Sequence, residues 1–253
     1  MRAIILAAGR GTRLASVLEE RIPKCLIKIG TETLLQRHLR LLEGFGVHTV
    51  HMVVGFNADL IKAYVADLPI KPAISWHHND RYREGSVISL YCALEGLVSR
   101  EPILLMDADV LYNPSILQRL IESSHENCFL LDRDFEYGPE PVKICLLNER
   151  IVEFRKELDP GLNFDTIGES VGFFKFGPRA AARLAEIVAE YDDIGNGHLP
   201  HEEALRDLAL ERSEPVGVED ITDMSWIEID FPEDLKRAIE KVLPALGISH
   251  EPG

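Results

Sequence analysis

Residues 3–24 read AIILAAGRGTRLASVLEERIPK, and this stretch decides how the chain begins to fold. Ala3 to Ala8 is a short apolar run without polar alternation, the pattern of a strand covered on both faces in a parallel sheet. Gly9 and Gly11 follow, and a turn without Cβ atoms can bring its N–H groups close to anionic oxygens. Arg10, Arg13 and, after Pro23, Lys24 supply three cations that the end of a buried strand does not otherwise need. Strand, glycine turn and spaced cations together describe a cradle for a triphosphate.

Two better-known phosphate loops are excluded by spacing. No G-x-x-x-x-G-K-[ST] string occurs, and the third glycine of a dinucleotide fingerprint would fall at position 14, which is Leu14. The nine-residue string Leu6-Ala7-Ala8-Gly9-Arg10-Gly11-Thr12-Arg13-Leu14, with Pro23-Lys24 after it, resembles the signature of another family. That family is the nucleotidyltransferases: the sugar-nucleotide pyrophosphorylases and the cytidylyltransferases for phosphocholine, aminoethylphosphonate and inositol phosphate. Ser89-Leu90-Tyr91 strengthens the likeness to the cytidylyltransferases. The likeness spans the first half of the chain and a C-terminal motif, and the middle only loosely.

The 253 residues suit one large α/β domain with a substantial core, and a hydrophobic fraction of 46% is that of an ordinary globular chain. A net charge of −15 argues against nucleic acid or an anionic membrane as partner, since both need a positive face. Arg10, Arg13, Arg21, Lys24 and Lys28 nevertheless give the acidic body a locally positive mouth. Cys25, Cys92, Cys128 and Cys145 are far apart among apolar neighbours and read as buried small hydrophobes. The apolar stretch after Met1 is too short for a signal segment or a membrane span, so a reducing cytoplasm is expected.

Strand-like runs at 3–8, 49–54, 73–77 and 103–106 alternate with helical patterns at 33–44, 57–67 and 86–98, which means βαβ units. Thr33 is placed to cap the first of these helices, with Gly44 and Gly46 as stop signals. Beyond Asp132 come shorter extended runs at 142–147, 151–155 and 171–176, then helices near 178–191 and 200–212. A strand at 226–229 and a helix over 232–243 are expected to return the chain to the same sheet. The expectation is an α/β, single-domain Rossmann-like three-layer sandwich over 1–253, with a mostly parallel central sheet and a small acceptor-binding subregion at about 133–215.

Ligands of open α/β sheets bind at the carboxyl ends of strands, which directs attention to Met106-Asp107-Ala108-Asp109 and to Trp226-Ile227-Glu228-Ile229-Asp230. A hard cation needs only one or two protein carboxylates beside phosphate and water. Asp109 is favoured as ligand, while Asp107 reads equally as a ligand or a cap of backbone amides. Asp230, taken alone, also fits a cap before the Pro232 helix. The resemblance implies that Asp109 and Asp230 share Mg²⁺ and that Leu6 to Thr12, together with Gly85 and Ser86, contact the nucleotide. Gly85 and Ser86 are equally well explained as a plain helix N-terminus.

Arg13 and Lys24 are assigned charge stabilisation on the triphosphate, and Lys156 the guidance of an anionic acceptor. Glu169, Glu202 and Trp226 are candidates for receiving the acceptor head group, a cationic one by the attraction of carboxylates and an aromatic face for ammonium, or a hydroxyl-rich one through hydrogen bonds to the acids. Glu169 and Glu202 also fit ordinary solvated acids, and parts for Lys143 and Glu203 stay open. His77 and His78 are adjacent on a strand, point to opposite faces and read as structural. The expected reaction is transfer of a nucleotidyl group, CTP favoured, to a phosphorylated or phosphonylated small alcohol with release of pyrophosphate. The alternatives are a sugar-1-phosphate nucleotidyltransferase and a nucleotide-binding module without turnover, and a homodimer stays open.

Overall fold

Ala3, Ile5 and Ala7 pack into one buried cluster and Ile4 into another, which explains why the first strand has no polar side. The computed structural model describes residues 1–14 and 22–248. Arg21, one of the five cations of the expected positive mouth, lies outside the described residues. The chain opens with β1 (Arg2–Ala7), two short strands β2 (Lys28–Ile29) and β3 (Glu32–Thr33), and helix α1 (Leu34–Gly44). There follow β4 (Thr49–Val54), α2 (Ala58–Ala66), β5 (Ala73–His78), α3 (Ser86–Cys92), α4 (Leu94–Leu97) and β6 (Ile103–Asp107). The middle holds β7 (Val110–Tyr112), α5 (Pro114–Glu122), β8 (Asn127–Asp132), β9 (Lys143–Leu147), β10 (Arg150–Arg155) and β11 (Thr166–Phe176). Helices α6 (Pro178–Asp193) and α7 (His201–Glu211), strands β12 (Val216–Asp220) and β13 (Trp226–Glu228), and helices α8 (Pro232–Arg237) and α9 (Leu243–Ala245) complete it.

Nine of these strands form one sheet, ordered β10-β9-β11-β6-β1-β4-β5, with β8 pairing both β11 and β12. β6, β1, β4 and β5 run parallel, as the βαβ reading requires, and β11 turns antiparallel against β6. One face is covered by α1, α2 and α5 and the other by α3, α4, α6 and α7, giving three layers. Thr33 caps α1 as expected, its Oγ1 accepting from the Gln36 N–H at 3.1 Å. All four cysteines are free thiols, three buried and Cys92 half-buried.

Some expected elements differ. The helix expected over 86–98 is broken at Ala93, between α3 and α4. The helix after Pro232 passes through a π-turn at Ala238–Val242 before α9. The strand near 226–229 does not rejoin the main sheet: among the described residues β13 pairs with β7 alone, antiparallel, as a separate two-stranded ribbon. A third apolar cluster explains this, because Ile227 and Ile229 pack with Leu111, Leu14 and Leu243 rather than in the main core.

β11 carries a bulge that shapes the middle of the molecule. Its register against β8 breaks between Ser170 and Phe174, and Gly172 sits there at φ +78°. A Cβ at Gly172 would lie 2.5 Å from the Asp107 carboxylate oxygen, so the glycine supplies both the left-handed turn and the space beneath that acid. Gly172→Ala is expected to cost about 1–3 kcal/mol in chemical denaturation. Gly44→Ala, at an open position in α1, should be neutral or stabilising by under about 1 kcal/mol.

Candidate active site

The glycine turn after β1 works as the sequence suggests, by close approach. Gly11 has φ +61°, and a Cβ there would meet the Lys24 side chain at 2.6 Å, so Lys24 lies directly across the turn. Leu6 and Ala7 are inside β1, paired with Val53 and Val54, and position the loop. The Ala8 carbonyl accepts from the Phe56 N–H at 3.0 Å, tying the start of the loop to the end of β4. Gly9, Arg10 and Thr12 are exposed at its rim.

The two acidic strand ends meet because β7 and β13 pair. Glu228 stands opposite Val110, and the Ile229 N–H donates to the Asp109 carbonyl at 3.0 Å. Carboxylate oxygens of Asp109, Glu228 and Asp230 then all fall within 4.8 Å of one another. Lys24 enters this cluster from the loop: its Nζ donates to Asp109 Oδ2 at 3.1 Å and also to Asp230. Arg13 Nη1 donates to Asp230 Oδ2 at 3.1 Å and to Glu140 Oε2 at 3.1 Å, with its guanidinium over the Phe231 ring. Asp230 does not cap the following helix; that task falls to Asp234, which accepts from the Asp230 and Phe231 N–H groups.

These contacts set the charges. Burial works against the Lys24 ammonium, but Asp109 and Asp230 outweigh it and hold it above its ordinary range. Burial also opposes ionisation of Asp230, and Lys24 and Arg13 overcome it to keep that carboxyl below its usual value. Glu228 is reached by water from the cleft, yet protein encloses its other sides. Burial, then Asp109 and Asp230, push its carboxyl well above the usual range. Asp107 is raised in the same way, first by burial and then by Asp109 and Glu202.

Beyond the acids opens a cleft of about 630 Å³ whose walls include Asp107, Lys156, Glu169, Glu202, Trp226 and Asp230. All the acceptor candidates of the sequence therefore share one cavity. Glu169, in β11 opposite Asp132, has its carboxyl pushed up to about 7 by burial and then by the Asp132 charge. Trp226 Nε1 donates to Asp132 Oδ2 at 2.7 Å, fixing the indole as part of the wall. Lys156 lies 3.5 Å from Glu140, which also holds Arg13, so one loop carboxylate bridges the two expected phosphate-binding cations.

Other candidates are turned elsewhere. The Ser86 hydroxyl accepts from the His201 N–H at 2.8 Å, and the Gly85 N–H donates to the Gly197 carbonyl at 2.8 Å, so both serve the junction of α3 with α7. Glu203 forms a two-bonded pair with Arg155 and faces away from the cleft. Lys143 is buried beneath the cleft wall, and His77 meets His51 at 2.9 Å as a structural pair. Asp132 and Glu140 were not singled out from sequence. Asp132 follows the apolar run Cys128 to Leu131, so the strand-end rule that found Asp109 would have found it too.

Lys24→Met leaves Asp109, Asp230 and Glu228 facing one another without their cation, so at pH 7 it should cost about 3 kcal/mol of stability. The raised Lys24 ammonium stabilises below its unfolded pKa for as long as Asp109 and Asp230 are ionised. The lowered Asp230 carboxyl contributes only above its own unfolded value. The gap between wild type and variant in denaturant titrations is therefore expected across neutral pH and to close as pH falls below about 4.

Residues 3–163 match the model of the MobA-like NTP transferase domain. The chain is 24% identical to the CTP:phosphoglutamine cytidylyltransferase of Campylobacter jejuni, over 95% of this chain and 100% of that protein. It is 26% identical to a bifunctional IPC transferase and DIPP synthase of Aquifex aeolicus, over 93% of this chain, and spans only 50% of that longer protein. The fold superposes on the inositol-1-phosphate CTP transferase from T. maritima with a TM-score of 0.75 at 23% identity, covering 99% of this chain and 98% of that one. A UDP-glucose pyrophosphorylase complexed with UDP-glucose gives 0.77 at 17% identity, with 96% and 98% covered. Among the described residues no helix is long and apolar enough to cross a membrane. The chain belongs to the MobA-like NTP transferase domain family.

Proposed function

We propose that the protein is a nucleotidyltransferase that moves CMP from CTP to a small phosphorylated or phosphonylated acceptor bearing a cationic group, with pyrophosphate leaving. The observation that carries this reading is the arrangement of one cleft. Arg13 and Lys24 stand beside Asp109 and Asp230, Lys156 shares Glu140 with Arg13, and the same cleft is walled by Asp132, Glu169, Glu202 and Trp226. An oxygen of the acceptor phosphate attacks the α-phosphorus in line, the bond to the β-phosphate oxygen breaks, and that oxygen leaves on pyrophosphate. The attacking oxygen is already anionic, so no general base is required.

Asp109 and Asp230 fit a hard divalent cation, Mg²⁺ by the chemistry of an all-oxygen donor set, and the Lys24 ammonium between them is evidence that the site is shaped for positive charge. When bound, such an ion neutralises charge on the α-phosphate region. Arg13 and Lys24 hold the triphosphate charge, and Lys156 lessens the repulsion between two anionic substrates. The acids around Trp226 suit an ammonium rather than a plain sugar, and two relatives are named for acceptors of this kind, phosphoglutamine and aminopropylphosphonate. Free cysteines and a sheet-buried first strand are consistent with work in a reducing cytoplasm.

Pyrophosphate release from each NTP with aminoethylphosphonate, phosphocholine, phosphoglutamine, inositol phosphate and glucose-1-phosphate tests the reading. The highest kcat/KM is expected for CTP with an amine-bearing acceptor, falling by about 10²-fold in Arg13→Ala. Asp109→Asn and Asp230→Asn should abolish Mg²⁺-dependent turnover. Preference for glucose-1-phosphate with UTP or dTTP would transfer the protein to the sugar-nucleotide pyrophosphorylases.

Glu169 adds a pH dependence. Its carboxyl is neutral below about 7 and charged above it, so attraction for an ammonium grows as pH rises through that value. The kcat/KM of the amine acceptor should rise there relative to inositol phosphate, which carries a phosphate without an ammonium. Glu169→Gln should flatten the difference.

A further inference from the structure

Residues 133–142, which join β8 to β9, have no regular secondary structure, yet Asp134 through Val142 line the outer wall of the cleft. Their hold on the body is slight. Arg133 and Asp134 are tied at one end through side chains of Thr222 and Asp132, and the Val142 carbonyl accepts from Ser170 at the other. Pro139 and Pro141 have no N–H to contribute. Between these ends Glu140 pairs with Arg13 and Lys156 and Glu136 approaches Arg237, all solvent-exposed pairs of small energy, and the buried anchor is a lysine beneath the loop.

Lys143 is the first residue of β9, opposite Arg155 in β10 and Glu169 in β11, and its side chain is 1% exposed. Among the described residues it makes no ion pair. Its Nζ donates to the Gly138 carbonyl at 2.6 Å, the Pro141 carbonyl at 3.1 Å and the Lys156 carbonyl at 2.6 Å, with the Tyr137 ring 5.1 Å away. An ammonium has three N–H donors, and all three are used on backbone oxygens. Two of those oxygens belong to the loop and the third to Lys156, whose side chain faces the cleft. Burying an ammonium without a carboxylate is costly, so a lysine kept here in place of an apolar residue needs a function that its three bonds supply.

We infer that Lys143 is a positioning residue for the acceptor: its buried ammonium fastens the Asp134–Val142 wall and the backbone of Lys156 to each other, and so fixes the acceptor half of the cleft. This rests on the reading of that half as the acceptor site. The nucleotide half, built from the β1 turn, Lys24 and the β7–β13 ribbon, makes no contact with the Lys143 ammonium. The wall does touch the nucleotide half through the solvent-exposed Glu140–Arg13 pair, a contact of small energy, so loss of the Lys143 ammonium acts chiefly on the acceptor and only weakly on CTP.

Three measurements on the intact protein decide it. In Lys143→Met, the KM for aminoethylphosphonate should rise at least about tenfold while the KM for CTP stays within about twofold, and chymotrypsin should cleave after Phe135 or Tyr137 at least fivefold faster than in wild type. Tyr137→Ala, at an exposed position that does not threaten folding, should raise the acceptor KM in the same direction by a smaller factor. Reductive methylation of wild type, read by mass spectrometry, should leave Lys143 unmodified while exposed Lys71 and Lys236 react. Methylation of Lys143 at the rate of exposed lysines overturns the three-carbonyl anchor whether or not the variant folds. Equal effects on both KM values, or none, overturn the positioning role. Pyrophosphate release with no acceptor overturns the parent reading instead, and the cleavage and methylation results still decide the anchor.

Discussion

The site depends on one electrostatic requirement: Asp109, Glu228 and Asp230 cannot all stay ionised within a few ångströms without a cation among them. In the free protein that cation is Lys24, bound to Asp109 and Asp230, with Arg13 beside it on Asp230. Glu228 is raised well above its ordinary range, first by burial and then by the charges of Asp109 and Asp230 that Lys24 only partly offsets. A cleft that accumulates acid at this density is shaped to receive positive charge, and a nucleoside triphosphate with its counter-ion brings both signs at once.

The fold exists around this cluster in a traceable way. β1 delivers the glycine turn, and Gly11 lets Lys24 cross it closely. β6 ends at Asp107, and the β7–β13 ribbon carries Asp230 back to Asp109, held by the small apolar cluster of Leu14, Leu111, Ile227 and Ile229. The bulge at Gly172 makes room for Asp107 beneath, and the same strand carries Glu169 into the cleft wall. One antiparallel strand therefore shapes both halves of the cleft.

Much of this was legible because its signals are local. The apolar run of β1, the glycine turn, the Thr33 cap and the acids at strand ends each occupy a few consecutive residues. What escaped depended on partners distant in sequence. β7 is three residues long, too short for a periodic pattern, and exists through its pairing with β13, a strand whose position the sequence marks but whose partner it does not. β12 is half-buried throughout and offers no clear alternation, while α5 was passed over although Asn113-Pro114 is a helix-start signal. Lys143 reads as a surface residue by type, and only the tertiary structure shows a buried ammonium with three carbonyls around it. Asp230 before Pro232 looked equally like a cap, a matter settled by where Asp234 points.

The most direct test is a titration of the ligand-free protein with Mn²⁺, read by electron paramagnetic resonance, in wild type, Asp109→Asn, Asp230→Asn and Lys24→Met. If Lys24 occupies a cation site formed by the two aspartates, each asparagine variant should weaken Mn²⁺ binding by about tenfold or more. Lys24→Met should tighten it, because the competing ammonium is gone and the acids remain. Binding that is indifferent to Asp109 and Asp230, or that weakens when Lys24 is removed, would contradict the claim that these residues form one exchangeable cation site.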